Sequence, residues 1–100
     1  MKIQDQINYV NNSLSVIKSE VKAVFNVTLN IDEIDLSAPD RHNSFYSSYL
    51  IDAEQEVARV VDQLAEQLQR QNIIKNVDTL DDWDDVKRFL DCVVDKLQKY

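Results

Sequence analysis

The sequence contains no glycine, one proline and one cysteine among its 100 residues. Glycine is the usual residue where the backbone needs a positive φ, so its absence disfavours tight hairpin turns and phosphate-binding loops. One cysteine excludes an intrachain disulfide and fits a reducing compartment, so we expect a cytoplasmic protein held together by its apolar core. These absences favour an all-helical fold with polar connections.

Long apolar runs are also missing. The first five residues contain no apolar stretch of the signal-peptide type, and no run approaches the ~20 apolar residues of a membrane-spanning helix. We therefore expect no membrane association. A chain of 100 residues with 44% hydrophobic amino acids has the size and composition of a single small domain, which we expect to span residues 1–100.

Positive charge is scarce, because the chain has 11 Lys and Arg residues but 18 Asp and Glu residues. The formal net charge is therefore −7. Direct binding to nucleic acid or to an anionic membrane needs clustered Lys and Arg, so both are disfavoured. The same charge suits a protein partner with a basic surface. It also favours solubility, which accounts for the acidity without any partner.

Helical periodicity is most regular in the first quarter of the chain. Apolar residues recur there at alternating four- and three-residue spacing: Ile3, Ile7, Val10, Leu14, Ile17, Val21 and Val24. Tyr9, Val16 and Ala23 widen this seam, and a wider stripe favours a globular bundle over a bare coiled coil. We predict a helix from Ile3 to Phe25. A structural homodimer assembled through this helix is an alternative.

The stretch Phe45–Leu68 is apolar on two sides. A first seam follows helical spacing: Tyr46, Leu50, Ala53, Val57, Val60 and Leu64. A second stripe lies beside it: Ile51, Ala58 and Ala65. Because a broad apolar surface implies neighbours on two sides, we predict that this helix is central and sandwiched by the others.

The start of the second helix is predicted near Pro39. Ser37 there has the character of an N-cap, with Asp40 three residues later and proline in the first turn. An alternative start is Asn43 or Ser44, and the end is predicted near Gln71. The preceding residues Val27, Leu29 and Ile31 alternate with polar residues, which is typical of a short extended segment.

The third helix is predicted to begin at Thr79 as its N-cap. Four acids follow in the first turn, Asp81, Asp82, Asp84 and Asp85, and Lys96 and Lys99 lie in the last turn, as the helix dipole favours. Connections of this length between amphipathic helices favour an up-down-up order. The predicted fold is all-α: an antiparallel three-helix bundle with two long helices and a shorter C-terminal helix.

No constellation of catalytic residues emerges from the sequence. His42 and Cys92, the only residues of their types, lie in different elements with no motif around them. The Asp78–Asp85 cluster is accounted for by the helix dipole and lacks the turn of a Ca²⁺ loop. We expect no enzyme, no metal and no cofactor. A metal-dependent all-α nucleotide hydrolase is a weak alternative, because no Glu-x-x-Glu pair is present.

The predicted contact region combines aromatic and acidic residues around the start of the second helix: Asp35, Asp40, Phe45, Tyr46 and Tyr49. Three aromatic rings within five residues cannot all face one core stripe, and exposed aromatic residues beside acids suit a basic protein partner. Closure of the open end of the bundle by the same rings is an equal interpretation.

The predicted function is a non-enzymatic module that binds, and inhibits or neutralises, a partner protein. Bacteriocin immunity proteins, phage inhibitors of host defences and secretion chaperones include small acidic helical proteins of this size, and the likeness is one of class only. Acidic mimicry of nucleic acid is a further alternative. In the antiparallel order its carboxylates would lie at opposite ends of the bundle.

Overall fold

The computed structural model describes residues 2–77 and 80–100. Within these residues the structure has three α-helices and no strand: α1 (Ile3–Phe25), α2 (Tyr46–Arg70) and α3 (Trp83–Gln98). The predicted all-α class is therefore confirmed. None of the helices in the described part of the chain is at once long enough and apolar enough to span a membrane.

Asparagine takes the place of glycine at the ends of α1 and α2. α1 ends as predicted at Phe25, and Asn26 follows with a left-handed φ of 56°. After α2, Asn72 has φ 60°, its N–H donates to Gln69, and the N–H of Ile73 donates to the carbonyl of Leu68 at 2.9 Å. These two bonds form a Schellman motif, in which asparagine tolerates the conformation that glycine usually supplies.

The predicted start of α2 near Pro39 is wrong, because a pair of side-chain turns precedes the helix. Oδ1 of Asp40 accepts the N–H of His42 at 3.0 Å, and Oδ1 of Asn43 accepts the N–H of Phe45 at 2.8 Å. Such Asx turns compete with helical hydrogen bonding. The helix therefore begins at Tyr46, closer to the alternative start.

The start of α3 also lies later than predicted. Asp82 is the N-cap, and its carboxylate accepts the N–H of Asp85 at 2.9 Å. The helix begins at Trp83, so Asp84 and Asp85 are the acids of its first turn. Thr79, the predicted cap, and Asp78 lie outside the described residues.

The connection after α1 runs back along α1 in an extended conformation. Nζ of Lys18 donates to the carbonyl of Ile31 at 2.8 Å, and the side chain of Asn11 bonds both backbone groups of Ile34. Three connector residues therefore cover the same length as seven helical residues, about 10 Å in both cases. The chain returns by this route to the end at which α1 began.

As a result, α2 runs parallel to α1. The hydroxyl of Tyr49, in the first turn of α2, donates to Oε1 of Gln4, in the first turn of α1, at 2.8 Å. Near the other end of α2, Oε1 of Gln67 accepts the N–H of Asn30, the neighbour of Ile31. The two helices therefore begin side by side and end side by side.

The third helix has the same direction. The ring of Trp83, at the start of α3, lies 5.6 Å from that of Tyr9, and the ring of Tyr100, just beyond its end, lies 5.3 Å from that of Phe25. The predicted antiparallel order is wrong. All three helices are parallel, because both connections contain apolar residues that pack on the core as they return.

The predicted central position of α2 is wrong as well. The closest backbone approaches join α1 to α3 and α1 to α2, so α1 is the central helix. Its seam is fully buried at Ile7, Val10, Leu14, Ile17 and Val21. On α2 the first seam is buried or half-buried, but the second stripe is exposed at Ile51 (57%) and at Ala58 and is buried only at Ala65 (7%).

Connector residues occupy the core surface that a neighbouring helix was expected to cover. Leu29, Ile31 and Ile34 of the first connection and Ile73 of the second are buried in the same cluster as the three helices. Because these side chains supply part of the core, α2 needs no helix on its second flank.

Candidate partner-binding surface

The predicted aromatic cluster at the start of α2 divides into exposed and buried members. The side chain of Phe45, immediately before the first turn, is 71% exposed. Tyr46 is half-buried, and Tyr49 is only 8% exposed. The cluster therefore both closes the end of the core, through Tyr49, and presents one free ring, Phe45.

Tyr49 is fixed in place by its neighbours. Its hydroxyl is bonded to Gln4, and its ring lies 6.0 Å from the ring of Tyr46 at an interplanar angle of 42°. Burial, and secondarily the nearby Tyr46 hydroxyl, raises the pKa of Tyr49 above its ordinary value. The two tyrosines that follow Phe45 are both packed against the core, so their positions beside Phe45 are fixed.

The acidic members of the predicted region are both exposed. Asp35 follows the buried Ile34, which its bonds to Asn11 hold against α1. Asp40 uses its carboxylate in the turn to His42, so one of its oxygens is already occupied. Both carboxylates belong to the returning connection that leads into Phe45.

A groove of about 330 Å³ lies where the starts of α1 and α2 meet the connection. Tyr46 and Tyr49 line it together with Lys2, Pro39 and Arg41. The tyrosines therefore face a groove with cationic walls, in place of the acidic surroundings predicted for the aromatic cluster.

A second groove, between α2 and the start of α3, carries the opposite charge. Glu54, Asp62, Asp81 and Asp82 line it around an apolar floor that includes Trp83. Sequence reasoning missed this site because the exposed stripe of α2 was assigned to the core and the acids of α3 to the helix dipole. The available signal was an apolar stripe without a covering helix.

Two pairs of titratable side chains outside these grooves are hydrogen-bonded. The phenol of Tyr9 donates to Asp91, and this hydrogen bond, followed by burial and the charge of Asp91, raises the pKa of Tyr9 to about 12. The hydrogen bonds from Arg59 lower the pKa of the Glu56 carboxyl. Each pair holds two surface side chains together, the first between α1 and α3 and the second within α2.

His42 and Cys92 are both exposed, the first in the turn before α2 and the second on α3. Among residues 2–77 and 80–100, no three His, Cys, Asp or Glu side chains converge so that they could hold a metal ion. The two grooves offer apolar contact together with cationic side chains in the first and carboxylates in the second.

In comparisons with known proteins, no family model, no curated protein and no solved structure matches this chain.

Proposed function

We propose that this chain is a non-enzymatic module that binds a partner protein through the surface formed by Phe45, Tyr46, Tyr49, Asp35 and Asp40. The observation that carries the proposal is the 71% exposure of the Phe45 ring. Contact between an exposed aromatic ring and water is unfavourable in free energy, and a partner that covers the ring removes this contact. Aromatic residues also dominate the energetics of protein interfaces.

The surroundings of Phe45 support this role. The backbone of Phe45 is fixed by two hydrogen bonds, since its N–H donates to Oδ1 of Asn43 at 2.8 Å and its carbonyl accepts the N–H of Tyr49 at 2.9 Å, so little backbone entropy is lost when the ring is covered. The exposed carboxylates of Asp35 and Asp40, together with the net charge of −7, suit a partner with a basic surface. By covering such a surface, the chain would inhibit or neutralise its partner in the cytoplasm.

A homodimer through α1 is a weaker proposal. Most of the seam that would pair two copies is buried inside one chain, and the last seam residue Val24 and the flanking residue Val16 are each 37% exposed. Association through α1 would have to use these two side chains and polar neighbours. Sedimentation at micromolar concentration separates this alternative from a monomeric binding module.

The test compares two exposed aromatic residues at opposite ends of the molecule. Phe45→Ala removes the proposed anchor, and Tyr100→Ala is the matched control, because Tyr100 is 67% exposed beside Phe25 at the far end. Each tagged variant is used for quantitative capture from an extract of the native host.

We expect one partner protein to be retained by the unmodified chain and by Tyr100→Ala, with capture reduced at least tenfold by Phe45→Ala, about the loss typical of an interface hot spot. Equal capture by all three proteins contradicts the proposal. Circular dichroism confirms that both variants are folded.

A further inference from the structure

The groove between α2 and the start of α3 is not used by the fold or by the Phe45 surface. Its volume is about 370 Å³. Val57 and Val61 of α2 and Val86 of α3 form its buried base, while Ala58 is exposed and Trp83 is half-buried. The groove exists because α1 packs closely on both other helices, whereas α2 and α3 approach each other only weakly.

Carboxylates line both sides of the groove. Glu54 and Asp62 project from α2, and Asp81 and Asp82 come from the start of α3. No Lys, Arg or His is found among the described residues that line the groove. Within residues 2–77 and 80–100, the side chains of Glu54, Asp62 and Asp81 form no ion pair. Their charges are thus available to a ligand.

We propose that this groove binds an amphipathic helix of another protein, one with a narrow apolar stripe flanked on both sides by Lys and Arg. The apolar floor would bury the stripe, and the carboxylates of the two walls would pair with the flanking cations. Ala58 has a small side chain, so a helix backbone can lie close to α2 at that point. The docked segment adds a fourth helix to the three.

Charge complementarity selects this occupant over others. A bare polybasic segment pairs with the acids but leaves the accessible apolar side chains of the groove, Ala58 and the half-buried Trp83, uncovered. An apolar helix covers the floor but leaves the acids beside a low-dielectric surface without partners, which is unfavourable. A helix of this chain is not available among the described residues, because the main apolar seam of each of the three helices is packed in the core.

This inference concerns a surface distinct from Phe45, so it stands or falls separately from the proposed function. Phe45 precedes the first turn of α2, and the groove lies two to four turns further along that helix. A binding experiment with variants of both surfaces therefore distinguishes the two.

The test uses the intrinsic fluorescence of Trp83, the only tryptophan of the chain, which lines the groove. The probe is a synthetic helical peptide of about 18 residues, long enough for five turns, with Leu and Ala on one stripe and Lys and Arg beside it. Two matched peptides carry Glu in place of the basic residues or Ser in place of Leu.

Two triple variants control for net charge. Glu54→Gln, Asp62→Asn and Asp81→Asn neutralise the groove, and Asp82 is left unchanged because it caps α3. Glu20→Gln, Glu33→Gln and Asp52→Asn remove the same number of charges elsewhere. Ala58→Gln fills the floor from an exposed helical position without changing the charge.

We expect the basic amphipathic peptide to shift the emission of Trp83 saturably, with weaker binding at higher salt. The groove triple variant should raise the Kd about tenfold more than the control triple variant, and Ala58→Gln should also weaken binding. The acidic peptide and the Ser peptide should not bind.

Four results overturn the inference, three in the peptide titrations and one in sedimentation. The basic peptide produces no saturable change in Trp83, the two triple variants weaken binding equally, or Phe45→Ala abolishes binding while Ala58→Gln and the groove triple variant do not. Peptide-independent self-association detected by sedimentation, and lost in the groove triple variant, assigns the groove to a second copy and also overturns it.

Discussion

The side chain of Asn11 bonds both backbone polar groups of Ile34, accepting its N–H at 2.8 Å and donating to its carbonyl at 2.9 Å. This pair joins the middle of α1 to the connection that returns alongside it. Ile34 itself is buried, and Asn11 is half-buried, so water has limited access to the two bonds. The returning path of the chain depends on this attachment.

Asn11→Ala is expected to lower the free energy of unfolding by about 1–3 kcal/mol, because it leaves a half-buried N–H and carbonyl without their partner. Asn12→Ala is the control, since the neighbouring side chain is exposed and should change stability by less than about 0.5 kcal/mol. Urea unfolding measures both. Equal losses in the two variants would show that the attachment is not what stabilises the connection.

A pair of leucines tests which helix is central. Leu14 of α1 is completely buried, whereas Leu50 of α2 is half-buried. Leu14→Ala should cost about 2–5 kcal/mol of unfolding free energy, because it removes core contacts and leaves a cavity. Leu50→Ala should cost clearly less, as judged by urea unfolding of both variants. A larger loss of unfolding free energy for Leu50→Ala than for Leu14→Ala would contradict the assignment of α1 as the central helix.

The bond between Tyr9 and Asp91 predicts a stability change at high pH. The pKa of Tyr9 is raised from the model-compound value of 10.0 to about 12. The neutral phenol is therefore favoured in the folded state. The contribution of the hydrogen bond to the free energy of unfolding is complete below pH 10, which is the pKa of Tyr9 in the unfolded chain, and is lost as the pH rises toward 12. The difference in unfolding free energy between the unmodified chain and Tyr9→Phe should therefore shrink over that interval.

Tyrosinate absorbance checks this assignment. In the titration of the four tyrosines, Tyr9→Phe should remove a component at the alkaline end, and Asp91→Asn should move that component toward pH 10. An alkaline component that persists unchanged in Tyr9→Phe would mean that another phenol is responsible for it. Circular dichroism defines the pH range over which the chain stays folded.

The sequence predicted local structure correctly where a single apolar periodicity was present. The heptad spacing from Ile3 to Val24 predicted the observed limits of α1 and the five buried residues of its seam, whereas the two ends of that seam are less covered, with Ile3 half-buried and Val24 exposed. The direction of α2 and α3 did not follow, because an extended connection of this length reaches either end of the preceding helix. The deciding signal was the alternation of Leu29 and Ile31, whose burial requires the connection to run along the core.

For the candidate surfaces too, residue spacing predicted local features but not which elements lie side by side. Spacing indicated that the rings before and within α2 could not share one stripe, and Phe45 is indeed exposed while Tyr49 is buried. Spacing could not indicate that Glu54 of α2 and Asp81 before α3 line one groove. That relationship depends on the parallel direction of the two helices, which only the packing of the connections determines.

Because every helix points the same way, the first and last described residues are far apart. Lys2 lies in the groove beside Tyr46, whereas Tyr100 contacts Phe25 at the other end of a molecule 47 Å long. Attachment to a sensor chip or a fluorescent fusion through Tyr100 leaves the Phe45 end unobstructed. A tag joined at Lys2 sits against that end and would compete with any partner that docks there.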